Sequence, residues 1–195
     1  MAVRVVLAED EAVIRLDLHE MLEEEGYQIV GETGRGDEAV ALVKEHKPDL
    51  AILDIRMPGI DGLAAAREIT ADQLAAVLIL TAYSQRDLIE EARDAGALAY
   101  LVKPFNKREL IPAIEVAIGR FEELKAIMQD NKSLEEQLVT RRIVDRAKGI
   151  LMDNHGMKEA EAFSFIQKTA MRERVTMREI GQRIIDGKLP EPQPS

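Results

Sequence analysis

The sequence predicts an α/β domain with a parallel sheet covered on both faces, followed by an all-helical segment. Three observations predict it. Short apolar runs rich in Val, Ile and Leu recur five times within residues 1–119, separated by stretches of helical periodicity. After Arg108 the helical period continues, and the last segment reads as helices only. Charge also shifts along the chain. Residues 1–119 carry 12 Lys and Arg against 23 Asp and Glu, a net −11, whereas residues 120–195 carry 14 against 13, a net +1.

The apolar runs are Val3–Ala8, Gln28–Gly31, Leu50–Leu53, Ala76–Leu80 and Ala99–Val102. Strands of this length without polar alternation suit a sheet buried on both sides. Between the first two, Ile14, Leu18 and Met21/Leu22 recur at helix spacing, and Gly26 is placed to end that helix. Ser84-Gln-Arg-Asp87 is an N-terminal capping box before a later helix. Pro112 falls in the first turn of the helix opening near Arg108, where proline is tolerated.

Leu124, Ile127, Asn131, Leu134 and Leu138 then follow 3-4-3-4 spacing. That is a coiled-coil seam with Asn at an a-type position, which fixes register and favours a dimer. The alternative is that this face packs on the chain's own C-terminal helices. Ser133-Leu-Glu-Glu136 is also a start signal for a fresh helix. Further on, one helix covers Val139–Asn154. Another runs from Lys158 to Met171 with Ala162, Phe163, Ile166 and Ala170 on one stripe. A third opens at the Thr176-Met-Arg-Glu179 capping box. The resulting division is an α/β domain over 1–119, a helical spacer over 120–139, a three-helix domain over 140–189 and a disordered tail over 190–195.

Composition excludes several classes. The chain has 195 residues, 46% of them hydrophobic and 32% charged, which is globular rather than disordered. It has no cysteine, so no disulfide, thiolate metal site or cysteine nucleophile exists. No apolar run approaches the roughly 18 residues of a membrane span. The opening MAVRVVLAEDE meets carboxylates too soon for a secretory signal. A cytoplasmic protein without a membrane partner is expected. His46 and His155 stand isolated from any metal or catalytic cluster.

In open parallel sheets, sites form beyond the carboxyl ends of the strands. Those ends hold Glu9 and Asp10, then Asp54, then Thr81, then Lys103-Pro104. Singly, each has an ordinary explanation as a turn residue, strand filler or solvated charge. Together they make one crevice of carboxylates, a hydroxyl and an ammonium. Clustered carboxylates repel and call for a cation, and all-oxygen ligands favour Mg²⁺. Such a set suits phosphoryl transfer onto a carboxylate.

The stretches LAEDE at 7–11, DLAILDIRMPGIDG at 49–62, LTAYS at 80–84 and ARDAGALAYLVKPF at 92–105 resemble the receiver domains of two-component response regulators. The resemblance covers residues 1–119 and implies a flavodoxin-like, doubly wound, five-stranded fold. It implies Asp54 as acceptor of a phosphoryl group from a sensor histidine kinase. It further implies Mg²⁺ held by Asp10, Asp54 and the Arg56 backbone carbonyl, with Glu9 acting through water. Thr81 and Lys103 would contact the phosphoryl oxygens, Tyr100 would be the switch aromatic, and the Lys103–Pro104 bond would be cis. The acidic pair is Glu-Asp rather than the Asp-Asp also found in the family, which lengthens the reach to the metal.

Residues 141–185, with AKGILM at 147–152, AF at 162–163 and AM at 170–171, resemble the ANTAR domain, a three-helix RNA-binding module. The combination resembles the phosphorylation-dependent transcription antitermination regulators, which bind stem-loops in nascent leader RNA. Arg141, Arg142, Arg146 and Lys148 cluster near the first helix, and Arg172, Arg174, Arg178 and Arg183 around the later ones. Arginine suits phosphate forks and base edges. The competing explanation is a solvated face paired with Asp145, Glu173 and Glu179. Gly149 costs about 1 kcal/mol against Ala in mid-helix. A close approach by a neighbouring helix or by RNA would account for it, and helix packing is the expected cause.

The leading expectation is therefore a response regulator with an RNA-binding output. The alternatives are a DNA-binding output, or C-terminal helices that only dimerise or bind protein. A conventional enzyme is not expected beyond self-directed phosphoryl transfer and hydrolysis. The DxDx(T/V) arrangement of aspartyl phosphatases is absent, since Ile55-Arg56-Met57 follows Asp54.

Overall fold

A computed structural model describes residues 2–82 and 86–188, but not the side chains of Arg86, Lys132 and Ser133. The capping signal at Ser84 and the tail 190–195 lie outside the described residues. The chain divides into two compact units, residues 1–125 and 126–195.

In the first unit, β1 (Arg4–Ala8), β2 (Gln28–Thr33), β3 (Leu50–Asp54), β4 (Ala76–Thr81) and β5 (Ala99–Val102) alternate with α1 (Ala12–Glu24), α2 (Gly36–His46), α3 (Gly62–Ala71) and α4 (Arg86–Asp94). α5 (Lys107–His155) begins after β5. The sheet order is β2-β1-β3-β4-β5, and every pairing is parallel. This is the doubly wound, flavodoxin-like order, with its reversal at β1 and β3.

Both faces of the sheet are buried, and side chains alternate between them with period two. Val6, Ala51, Leu53, Val77 and Ile79 face one core with Val40 and Val43 of α2 and Leu63 and Ile69 of α3. Val5, Leu7, Leu50, Ile52, Leu78 and Leu80 face the other, with Leu18 and Leu22 of α1 and Leu110 and Ile114 of α5. Each such side chain, fully buried, contributes about 1.5–3 kcal/mol of hydrophobic free energy before entropy is counted. Gly26 adopts φ +82° just after α1, and its N–H bonds the Glu23 carbonyl. A left-handed turn there requires glycine and reverses the chain into β2.

Several expectations need adjustment. β2 extends to Thr33 rather than stopping at Gly31, because its last residues still pair with Leu7 and Ala8 of β1. Pro112 lies in the second turn of α5 rather than the first, inside the helix. α5 is unbroken through Ser133, so the start signal there does not open a new helix. Leu124, Ile127, Leu134 and Leu138 are each 42–57% exposed, which sets aside packing of that seam on the chain's own helices.

In the second unit, the end of α5 packs with α6 (Glu159–Glu173) and α7 (Met177–Ile185). Its core is Val144, Ala147 and Leu151 with Ala162, Ile166, Ala170, Ile180 and Ile184. Thr176 caps α7 by accepting the Glu179 N–H, and Glu179 accepts the Thr176 N–H in return. Gly181 is required by packing, since a Cβ there would sit 2.9 Å from Ile143 Cγ2. Gly149 is different. Nothing lies within 4 Å of a Cβ built on it, so helix packing does not explain it. Phe163 is 43% exposed and does not share the buried stripe of Ala162 and Ile166.

Candidate functional sites

Parallel pairing places the carboxyl ends of β1, β3, β4 and β5 side by side. Asp54 pairs with Leu80, Thr81 pairs with Val102, and the Lys103 N–H bonds the Thr81 carbonyl at 2.7 Å. Glu9 follows β1 directly, and its N–H bonds the Thr33 carbonyl. The register thus delivers Glu9, Asp54, Thr81 and Lys103 to one end of the sheet. Asp10, Asp54, Arg56, Thr81 and Lys103 line a crevice of about 310 Å³, with Glu11 and Leu88.

Lys103 Nζ lies 2.9 Å from Asp54 Oδ1 and 2.6 Å from Glu9 Oε2. Glu9 is fully buried, while Asp54 and Thr81 are nearly so. The Glu9 Oε2 contact has ion-pair proximity without hydrogen-bond geometry, so this oxygen holds charge with no directed donor. Burial holds the Glu9 carboxyl above the usual glutamate range, opposed by Lys103 and reinforced by Asp54. Burial opposes the Lys103 ammonium too, but its close pairing with Glu9 and Asp54 outweighs that and leaves its pKa raised. The ammonium is therefore a resident counter-ion for two buried carboxylates.

Surrounding backbone shapes this end. The Arg56 N–H donates to Asp54 Oδ2 at 3.1 Å, and the Lys103–Pro104 bond is cis. A Cβ on Gly62 would fall 1.9 Å from the Asp54 carbonyl oxygen, so only glycine fits against that strand end. Arg15 Nη1 donates to the Glu9 carbonyl at 2.5 Å. Sequence reasoning missed Arg15, Leu88 and Gly62, and only the glycine left a signal, within GIDG.

Glu9, Asp10 and Asp54 each offer a carboxylate oxygen within 4.8 Å of the others. The set fits a hard cation, since every donor is oxygen and Asp10 is open to solvent. Tyr100 is 45% exposed and is not among the residues lining the crevice.

The basic residues of the second unit do not converge in this way. Arg141 lies 3.9 Å from Asp145, while Lys148 contacts Asp145 and Glu159 at 2.9 Å each. Arg172 and Arg183 both reach Glu173, at 3.5 and 2.7 Å. The solvated, internally paired face accounts for these four. Arg142, Arg146, Arg174 and Arg178 are exposed and have no ion pair among the described residues. Glu179 is committed to the α7 cap, where the Thr176 N–H lowers its pKa. No helix among the described residues is long and apolar enough to cross a membrane.

Comparison with known proteins finds two families along the chain. The family profile of the response regulator receiver domain matches residues 5–115, and that of the ANTAR domain matches residues 132–185. The transcriptional regulatory protein PdtaR of Mycobacterium tuberculosis is 55% identical over 183 residues, covering 94% of this chain and 89% of the relative. Among solved structures, the signal receiver domain of NarL from Mycobacterium tuberculosis superposes with a TM-score of 0.58 at 31% identity. It covers 60% of this chain and 97% of that domain. CheY in a CheX–CheY–BeF3–Mg²⁺ complex from Borrelia burgdorferi gives 0.55 at 26% identity, covering 57% of this chain and 86% of that one. The chain belongs to the response regulators, and joins a receiver domain to an ANTAR domain.

Proposed function

We propose that this response regulator is phosphorylated on Asp54 by a sensor histidine kinase and that phosphorylation switches an RNA-binding output acting in transcription antitermination. The observation that carries the first half is the Lys103 ammonium, held between Glu9 and Asp54 inside an acidic crevice. In the transfer, an Asp54 oxygen attacks the phosphorus of the kinase phosphohistidine. The P–N bond breaks, the imidazole leaves with its electron pair, and an acyl phosphate forms. Lys103 and the Thr81 hydroxyl face the oxygens on which charge develops. Hydrolysis of the acyl phosphate by water resets the protein, and no external substrate is turned over.

Asp10, Asp54, the Arg56 carbonyl and Glu9 would hold Mg²⁺, which supplies charge neutralisation at the transferring group. The oxygen-only cluster supports this, as does the Mg²⁺ in the named CheY complex. The exposed position of Tyr100 is the resting arrangement in this reading, and inward rotation beside Thr81 accompanies phosphorylation.

The output reading rests on the ANTAR match and on Arg142, Arg146, Arg174 and Arg178, exposed and without ion pairs among the described residues. Arg141, Lys148 and Arg172 must exchange their carboxylate partners to contribute. RNA stem-loops of a nascent leader are the ligand, and the protein acts in the cytoplasm. The exposed Leu124, Ile127, Leu134 and Leu138, with Asn131 between them, support a homodimer, which would present two ANTAR domains to two loops.

The test is binding to an RNA with two hexanucleotide stem-loops, with and without a small-molecule phosphodonor and Mg²⁺. Wild-type affinity is expected to rise on phosphorylation, and Asp54→Asn affinity to stay unchanged. Equal response of the two proteins would overturn the switch. With about four phosphate contacts, the log–log salt slope should lie near −3. Competition by duplex DNA would redirect the output to DNA, and no salt-dependent binding would redirect it to protein.

A further inference from the structure

The C-terminal unit holds an open groove of about 630 Å³ between the end of α5, α6 and α7. Its walls are Phe163, Val144 and Met177, and its rim carries Thr140, Arg141 and Asp145. Phe163 is conspicuous on physical grounds. Its helix neighbours Ala162 and Ile166 are fully buried, yet Phe163 is 43% exposed. Residues 126–195 contain two aromatic side chains, Phe163 and Phe165, and Phe165 is partly buried against the core. Phe163 therefore offers this unit's solvent-facing ring.

We infer that this groove takes one unpaired nucleobase of an RNA loop, stacked on Phe163. The inference rests on the RNA-binding reading above and specifies how that output recognises its ligand. Splayed loop bases bind by stacking on aromatic rings and by hydrogen bonds to their edges. The groove supplies both, with an apolar wall for the base face and polar groups at the rim for its edge. Arg141 is the cation available for the adjoining phosphate. Its side chain is 81% exposed and its ion-pair contact to Asp145 is long at 3.9 Å. Lys148 at the same rim is already neutralised by two carboxylates.

The acidic side of the rim narrows the choice of base. Glu136 and Asp145 line the groove, and both accept hydrogen bonds but donate none when ionised. A carboxylate pairs with an exocyclic amino group, as it does with cytosine N4. The groove therefore favours adenine, guanine or cytosine, whose amino donors meet a carboxylate, over uracil, whose single N3–H donor is flanked by two carbonyl oxygens that the carboxylates repel, with the phosphate on the Arg141 side.

The experiment uses the full chain, phosphodonor-treated, with the two-stem-loop RNA. Phe163→Leu keeps an apolar helix former but removes the π face. It should weaken binding about 10- to 100-fold with an unchanged thermal melt. Phe163→Trp should retain affinity. Because the chain has no tryptophan, the new indole is the sole reporter, and its fluorescence should be quenched by the RNA. Replacing loop bases one at a time by uracil should identify one position whose penalty disappears in Phe163→Leu. Wild-type binding with an unaffected Phe163→Leu protein would overturn the groove assignment and leave the RNA reading intact. An unquenched indole at saturating RNA would overturn stacking. A change in sedimentation mass of Phe163→Leu without a change in RNA affinity would make the groove a surface between copies of the chain. Failure of the wild type to bind RNA in either state would overturn the RNA reading itself.

Discussion

The crevice of the receiver domain and the basic surface of the ANTAR domain both depend on charge, but they are built in opposite ways. In the crevice, four strand ends bring Glu9, Asp54, Thr81 and Lys103 into a nearly dry space, with the ammonium within 3 Å of two carboxylates. On the ANTAR domain the charges stay in water, and several arginines are matched by local acids such as Asp145 and Glu173. The lesson is one of dielectric. Buried charges are strongly coupled and must be compensated within the fold, whereas exposed ones are screened and free to exchange partners.

The largest effect is expected from Lys103→Met. It strands two buried carboxylates, and a loss of about 3–5 kcal/mol is expected in denaturant unfolding of the receiver domain. Mg²⁺ should restore part of that loss in the variant. A loss below 1 kcal/mol, insensitive to Mg²⁺, would show that the crevice is wetter than described.

The next two changes compare glycines. Gly62→Ala drives a Cβ into the Asp54 carbonyl at 1.9 Å, and a loss of about 2–3 kcal/mol should follow. Gly149→Ala meets open space on α5 and should stabilise the ANTAR domain by up to about 1 kcal/mol, read as a higher melting temperature. If the same variant lost RNA affinity, close approach of the ligand would be the reason for that glycine. Destabilisation by Gly149→Ala would contradict the open environment.

The smallest effect concerns pH. The His19 ring contacts Glu32 and Glu23, and the Glu32 hydrogen bond raises its pKa. A raised pKa means that the folded state binds the proton more tightly. The stabilisation is complete below the unfolded value near 6.5 and is lost as pH rises through the folded value. The side chain is 31% exposed, so the contribution is screened to a fraction of a kcal/mol. Unfolding of His19→Gln should converge with wild type at alkaline pH and fall below it under mildly acidic conditions. Parallel curves would remove His19 from the account.

Much of this was legible from residues alone. Five apolar runs separated by helical periods point to buried parallel strands, because a helix after each strand carries the chain back over the sheet and covers both faces. Acidic, hydroxyl and ammonium residues at the run ends then share one crevice by topology. The capping box at Thr176 was legible for a similar reason, since its two hydrogen bonds are local.

The order of elements, the end of the sheet that carries chemistry and the division of acidic from basic regions can therefore be read from the residues. Local periodicity and strand polarity carry that information. Folding in three dimensions sets which of the basic residues keep a carboxylate partner, that Phe163 faces water while Ala162 is buried, and that Gly181 is packed while Gly149 is open. The pairs of Lys148 with Glu159 and of Arg183 with Glu173, like the burial of Ala162 and Gly181, depend on distances between different helices. A one-residue rotation of a helix by about 100° exchanges inside for outside, and spacing alone does not specify it.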